Sequence, residues 1–267
     1  MMVSLNDFKN IALIKINYRC NQDCIFCHED LINLYDFIEL RIIENYWDAF
    51  DDYKIDTVLL SGGEPLYDFN SFLKIVSYFK KRGLKIILIT NGTLLNYNRI
   101  AQINKMIDLV YLSIHSFNPR LDYKLTSKNF LKTKLINLEL LLKLEVPVIL
   151  RRLVFKDNYS TIDNEISYIF NKYKGIEHFW FELGILENKG KKLRANYKYM
   201  FLNNYEILKI INSLFFKFPN VKILIDNIPK ELLSEKYQQF IDPISEKFRL
   251  RVELNNVGEY VLERVKV

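Results

Sequence analysis

Two spacings of hydrophobic residues alternate along this chain, and together they predict a succession of strands and helices. Residues 11–17 alternate as a strand does, residues 38–50 carry apolar positions at helical spacing, and residues 57–60 form a second short β-rich run. Asn70 can cap a helix that runs to Arg82, Gly83 can end it, and residues 85–90 follow as a third strand. The same reading predicts a helix over 99–107, a strand over 109–114, an amphipathic helix over 131–144 and a strand over 147–155 that stops near Asn158. Residues 162–173 return as helix, Gly175 breaks it, and residues 178–183 make a sixth strand. Six strand–helix alternations with short connections predict an α/β fold built on a parallel sheet with right-handed crossovers. Beyond them, residues 187–196 read as a polar linker, 199–218 as a long helix and 221–226 as a strand. Residues 248–254 and 260–265 read as a hairpin joined through Asn255-Asn256-Val257-Gly258. The expected division is residues 1–190 as the main domain and 191–267 as a small C-terminal α/β appendage that closes it.

The length of 267 residues suits such a plan. Hydrophobic residues at 49% and charged residues at 26% are ordinary for a globular protein with a large core. The net charge of +6 is read as a solvated basic surface, with no nucleic-acid partner expected. The N-terminus has no charged segment leading into an apolar one, and no apolar run approaches about 18 residues. A cytoplasmic protein without a membrane partner is expected.

All three cysteines fall in one stretch, Tyr-Arg-Cys-Asn-Gln-Asp-Cys-Ile-Phe-Cys-His-Glu from Tyr18 to Glu29. An odd count and such short separations make disulfides a poor reading. Three thiolates at Cys20, Cys24 and Cys27 can instead occupy three corners of one metal centre. Zinc could take these with His28, although adjacent Cys27 and His28 would have to share one small ion. A 4Fe–4S cluster held by three cysteines leaves one iron open to a ligand.

This spacing, with Phe26 just before the third cysteine, resembles the cluster loop of the radical S-adenosylmethionine superfamily. Leu59-Leu60-Ser61-Gly62-Gly63-Glu64-Pro65 is similar to the glycine-glycine-glutamate motif of that superfamily. The resemblance runs from about Ile11 to about Gly190. It implies a partial (β/α)6 TIM-like barrel, one 4Fe–4S cluster on Cys20, Cys24 and Cys27, and S-adenosylmethionine on the open iron. It also implies reductive cleavage of that cofactor to methionine and a 5′-deoxyadenosyl radical. On this reading Phe26 shields the adenine, Gly62 and Gly63 let backbone approach the cofactor, Glu64 accepts from its ammonium, and Pro65 fixes the turn. Asn91 in Thr90-Asn91-Gly92 and Ser113 in Leu112-Ser-Ile-His-Ser116 match the ends of strands three and four, with Ser113 on the ribose.

Strand five carries Arg151 and Arg152, of which alternation lets only one face inward. The resemblance favours Arg152, to hold the cofactor's carboxylate, and adds Leu183 on strand six. His115 is read as a structural histidine facing away from Ser113. Within the superfamily, the segments Cys27-His28-Glu29, Ser113–Ser116 and Phe181-Glu182-Leu183 look like those of the GTP 3′,8-cyclase type. There is no cysteine after Cys27, so neither GTP cyclisation nor the cysteine-rich extension of many peptide-modifying members is expected.

The substrate reading is a small anionic molecule, nucleotide- or sugar-like, motivated by Lys189, Lys191, Lys192 and Arg194 after strand six. A ribosomally made peptide is the alternative substrate, and a zinc-stabilised binding module is the alternative without catalysis. An electron donor such as flavodoxin or ferredoxin is the implied protein partner.

Overall fold

The computed structural model describes residues 4–27, 37–173, 176–185, 201–218, 223–226, 229, 232, 235, 243–244, 247–254 and 259–265. Its strands are β1 (Ile11–Asn17), β2 (Thr57–Gly62), β3 (Lys85–Thr90), β4 (Leu109–Ser113), β5 (Val148–Val154) and β6 (Phe179–Ile185), followed by β7 (Ile223–Asp226), β8 (Phe248–Leu254) and β9 (Tyr260–Arg264). They form one nine-stranded sheet in the order β7-β6-β5-β4-β3-β2-β1-β8-β9. All neighbours run parallel except the antiparallel pair β8 and β9. Parallel strands need crossovers, and helices α1 (Leu40–Glu44), α2 (Trp47–Asp52), α3 (Phe69–Lys81), α4 (Tyr97–Ile103), α5 (Pro119–Thr126), α6 (Leu131–Lys143) and α7 (Ile162–Lys172) supply them. A further helix, α8 (Asn204–Lys217), leads towards β7.

Strand alternation sorts side chains onto two faces. Ile14, Leu60, Leu88, Leu112 and Leu150 pack with helix residues such as Phe72 and Leu138 in the larger core. The intervening Leu59, Ile87, Tyr111 and Ile149 form a second, inner cluster with Leu5 and Phe8. The turn at Leu5–Asp7 underlies that cluster: Lys85 donates to the Asp7 carbonyl, and Lys247 donates to that of Leu5 at 3.1 Å. It thereby floors the interior at the strands' N-terminal ends. The inner face is apolar there and polar towards the C-terminal ends, where the motifs lie.

Several element boundaries differ from expectation for local physical reasons. The helix expected over 38–50 is two short ones, broken at Tyr46, whose hydroxyl donates to the Tyr260 carbonyl at 2.7 Å. Asp68, rather than Asn70, caps α3; its carboxylate accepts from the backbone of Asn70 and Ser71 and from the Ser71 hydroxyl. α5 was not anticipated, although Asn118 as cap and Pro119 at the first helical position are its signal. The hairpin β8–β9 lies beside β1, and β7 lies beside β6, so the C-terminal segment lengthens the sheet at both edges. Among the described residues β7 and β9 do not pair with each other, and the C-terminal segment extends the sheet of the main domain. His28, the linker over 187–196 with its four cations, and residues 255–258 lie outside the described residues. No helix among those described is long and apolar enough to cross a membrane.

Candidate cofactor site

The parallel ladder of β1 and β2 continues past both strands into the motifs. Gly63 N donates to Asn17 O at 2.9 Å, Glu64 N to Arg19 O at 2.7 Å, and Asn17 Nδ2 to Glu64 O at 3.0 Å. A Cβ on Gly62 would stand 2.1 Å from Asn17 O, and one on Gly63 2.2 Å from Arg19 O. Gly62 also has φ +132°, which side chains rarely adopt. The glycines are thus required by contact of this turn with the start of the cysteine loop, a tie that a ligand-based reading does not reveal. Both remain partly exposed, while Glu64 and Pro65 are buried in the turn that Tyr67 N closes on Glu64 O.

The Glu64 carboxylate has three donors. Oε1 accepts from Leu66 N at 3.0 Å and Thr90 Oγ1 at 2.7 Å, and Oε2 accepts from Asn91 N at 2.8 Å. Burial raises its pKa, and the three hydrogen bonds oppose that shift. The carboxylate is buried and ties the end of β2 to the end of β3. Asn91 carries the tie onward, since its Nδ2 donates to Asn21 Oδ1 at 2.9 Å and lies 3.9 Å from Cys20 Sγ. Asn21 in turn donates to Thr93 Oγ1 at 2.7 Å.

Cys20, Cys24 and Cys27 are joined by no disulfide and are half-buried. Gln22 N donates to Cys20 Sγ at 3.4 Å, and Cys27 N donates to Cys24 O at 3.1 Å. The C-terminal turn of α5 holds the middle of the loop: Asp23 N donates to Thr126 O at 3.2 Å and Ile25 N to Leu125 O at 3.0 Å. Burial pushes the Cys20 thiol up to about 11 and that of Cys24 higher still. The charge of Cys27 adds to the shift at both residues, that of Glu64 adds at Cys20 and that of Cys20 adds at Cys24. Three such thiolates in one loop call for a soft, positively charged centre to hold them. Among the described residues no three His, Cys, Asp or Glu side chains are gathered tightly enough for a single ion.

Phe26 is buried beside this loop, edge-on to the His115 ring at 4.6 Å and in a small cluster with Leu125 and Phe155. His115 shares its strand parity with Ser113, so the expectation that the two face apart is corrected. His115 Nδ1 accepts from Leu153 N at 3.2 Å, and burial, then the charges of Lys134, Arg151 and Arg152, hold its pKa well below the usual value. Ser113 follows inward-facing Tyr111 by two residues and stands opposite Arg151 in the ladder.

The arginines reverse the expected register. Ile149 belongs to the inner cluster and Leu150 to the helix-facing core, so Arg151 faces inward and Arg152 outward. Arg151 Nε meets Glu182 Oε1 at 2.8 Å and its Nη2 meets Asp226 Oδ2 at 2.5 Å, with the guanidinium lying beside Gly184. Arg152 is fully buried on the other face, ion-paired with Glu165 of α7 and 5.8 Å from the Phe117 ring centroid. Burial alone lowers its pKa to about 9. The cofactor-binding expectation for Arg152 is corrected for that reason. Leu183 likewise packs in the helix-facing core, and its neighbour Glu182 faces the interior. Sequence reasoning missed Glu182, Asp226 and a second inward group, in which Lys15 Nζ meets Glu253 Oε2 at 2.6 Å and Arg251 Nη1 lies 3.7 Å from Glu253 Oε1.

The site thus gathers three loop thiols, a glycine turn hydrogen-bonded to that loop, and a polar interior beside them. A family model for the radical SAM superfamily matches residues 14–169. The chain belongs to the radical SAM superfamily. An uncharacterized protein of Methanocaldococcus jannaschii is 34% identical over 130 residues, covering 48% of this chain and 42% of that one. A probable GTP 3′,8-cyclase of Methanothermobacter thermautotrophicus is 32% identical over 121 residues, covering 45% and 39%. The matched chain thus spans less than half the length of these two curated relatives. Among solved structures, Streptococcus suis SuiB bound to its precursor peptide SuiA superposes with a TM-score of 0.67 at 12% identity, over 92% of this chain and 57% of that one. At that identity the likeness is one of fold, a partial TIM-like barrel. Radical SAM proteins use a 4Fe–4S cluster and S-adenosylmethionine, and Cys20, Cys24 and Cys27 are the residues here that would hold the cluster.

Proposed function

We propose that this radical SAM protein is an enzyme that reductively cleaves S-adenosylmethionine to a 5′-deoxyadenosyl radical and takes a hydrogen atom from a small anionic, nucleotide- or sugar-like substrate. The observation that carries the reading is the hydrogen-bonded tie between the Gly62–Glu64 turn and Asn17 and Arg19, because it fixes a cofactor-type turn against the loop that holds all three cysteines. When bound, the cluster supplies the low-potential electron and S-adenosylmethionine supplies the cleavable sulfonium.

The chain's own residues bind, orient and exclude water. Glu64 locks the turn, Asn91 links it to the loop, and Phe26 with Phe155 keeps one side of the loop dry. The partly exposed backbone of Gly62 and Gly63 would receive the cofactor's ammonium, and Ser113 would meet a ribose hydroxyl. The anionic preference rests on the inward wall of β1 and β8, where Lys15 and Arg251 lie about Glu253. Buried Nε of Arg251 has no hydrogen-bond partner among the described residues, so a substrate anion would satisfy it. Arg151, held by Glu182 and Asp226, makes the opposite wall acidic. A flavodoxin- or ferredoxin-type donor would deliver the electron.

The peptide-bound SuiB structure motivates a second reading, a ribosomally made peptide as substrate, because the same barrel type accepts one there. The test is anaerobic incubation of reconstituted protein with S-adenosylmethionine, dithionite and separate pools of nucleotides, sugar phosphates and peptides, with 5′-deoxyadenosine as readout. Stimulation by an anionic small molecule, with a raised KM in Arg251→Met, supports the first reading. Stimulation by peptides alone replaces it with the second.

A further inference from the structure

Beneath the cysteine loop lies a buried ion pair that the proposed reaction does not use. Lys134 of α6 and Asp122 of α5 meet at 3.3 Å, each side chain 1% exposed. Burying two charges is costly, and apolar residues of similar volume would join the helices without that cost. The location of the pair is specific. One turn beyond Asp122, the carbonyls of Leu125 and Thr126 accept the amides of Ile25 and Asp23, which flank Cys24. Leu121 and Leu125, on either side of Asp122, belong with Cys24 to one hydrophobic cluster.

We propose that Lys134 and Asp122 are positioning residues that set the reduction potential of the cluster through Cys24, with Lys134 favouring the reduced form and Asp122 opposing it. The proposal rests on the reading of Cys20, Cys24 and Cys27 as cluster ligands. Reduction adds one electron from the external low-potential donor, so the cluster gains one negative charge and no bond in the protein is made or broken. A fixed cation close by lowers the energy of that more negative state, and burial keeps solvent and salt from screening it. Nearby charge and burial are known levers on cluster potential.

The experiment is a redox titration followed by electron paramagnetic resonance on the reconstituted protein without S-adenosylmethionine. Wild type is compared with Lys134→Met, Asp122→Asn, the double variant and Lys134→Arg. Lys134→Met should lower the reduced-to-oxidised ratio about tenfold at the wild-type midpoint, a fall of roughly 59 mV for one electron. Asp122→Asn should move the midpoint upward, the double variant should lie between the two singles, and Lys134→Arg should restore the wild-type value. Opposite signs are the diagnostic, because a pair that only joins α5 to α6 would shift both singles the same way or neither. Either of those results overturns the proposal. Where Lys134→Met does not fold, an unmoved or lowered midpoint in Asp122→Asn overturns it. Failure of the cluster reading itself is visible earlier, as absence of iron from wild-type protein.

Discussion

Replacing Glu64 by Ala separates two roles that a glutamate in this turn can have. The structure gives its carboxylate three donors, Leu66 N, Thr90 Oγ1 and Asn91 N, and no exposed surface. A hydrogen bond to a charged acceptor contributes roughly 1.5–3 kcal/mol net, and a donor left buried without a partner costs about 1–3 kcal/mol. Three such bonds would sum to more, but removing a carboxylate that burial disfavours returns part of the cost. The expected loss is about 2–4 kcal/mol, which for a domain of this size lowers Tm by roughly 4–16 °C. Glu64→Gln keeps one acceptor but turns a donor towards another donor, so about half that loss is expected. The assay is thermal unfolding of the cluster-free protein under argon with reductant, paired with the S-adenosylmethionine dissociation constant of the loaded protein. Unfolding within about 0.5 kcal/mol of wild type, together with at least tenfold weaker cofactor binding, would return the carboxylate to the cofactor and refute the structural role.

Three further substitutions test neighbouring parts of the structure. Arg152→Leu should leave cofactor affinity unchanged yet lower stability by about 1–3 kcal/mol, because Glu165 loses its counter-charge; weakened cofactor binding would place Arg152 in the site after all. Arg151→Leu should be the damaging change for turnover, since it leaves Glu182 and Asp226 facing the interior without the guanidinium between them; steady-state kinetics matching wild type would count against an inward site there. Asp68→Ala should cost about 1 kcal/mol through loss of the α3 cap, and Asp68→Asn much less. Hydrogen bonds from Ser71 lower the Asp68 pKa, so its contribution is present above the unfolded carboxylate value and disappears as pH falls through the lower folded one. Urea midpoints measured across that range should converge for wild type and Asp68→Ala at the acid end.

What was legible in the sequence was local. The cysteine spacing and the Gly62-Gly63-Glu64-Pro65 run each lie within a few residues, and strand alternation marked β1 to β6 because parallel strands buried on both faces need little long-range information. The errors arose where distant residues decide. Tyr46 breaks a helical pattern by reaching Tyr260, 214 residues away in sequence. Arg151 is fixed inward by Asp226, 75 residues on, and adjacent arginines give no local sign of which one that will be. The three donors to Glu64 come from the folded turn and from β3, so its burial is a tertiary property that the motif alone does not show. α5 was the avoidable omission, since Asn118 and Pro119 announce it in the sequence.

The most direct test is the metal content and cofactor chemistry of anaerobically purified and reconstituted protein. About four irons and four acid-labile sulfides per chain are expected, because three cysteines in one loop hold one cluster and the sequence contains no others. Dithionite and S-adenosylmethionine should then yield 5′-deoxyadenosine, and Cys24→Ala should lose both the cluster absorbance and that product. Stoichiometric zinc with no iron or sulfide, and no cleavage of S-adenosylmethionine, would contradict the radical reading and leave a zinc-bound module in its place.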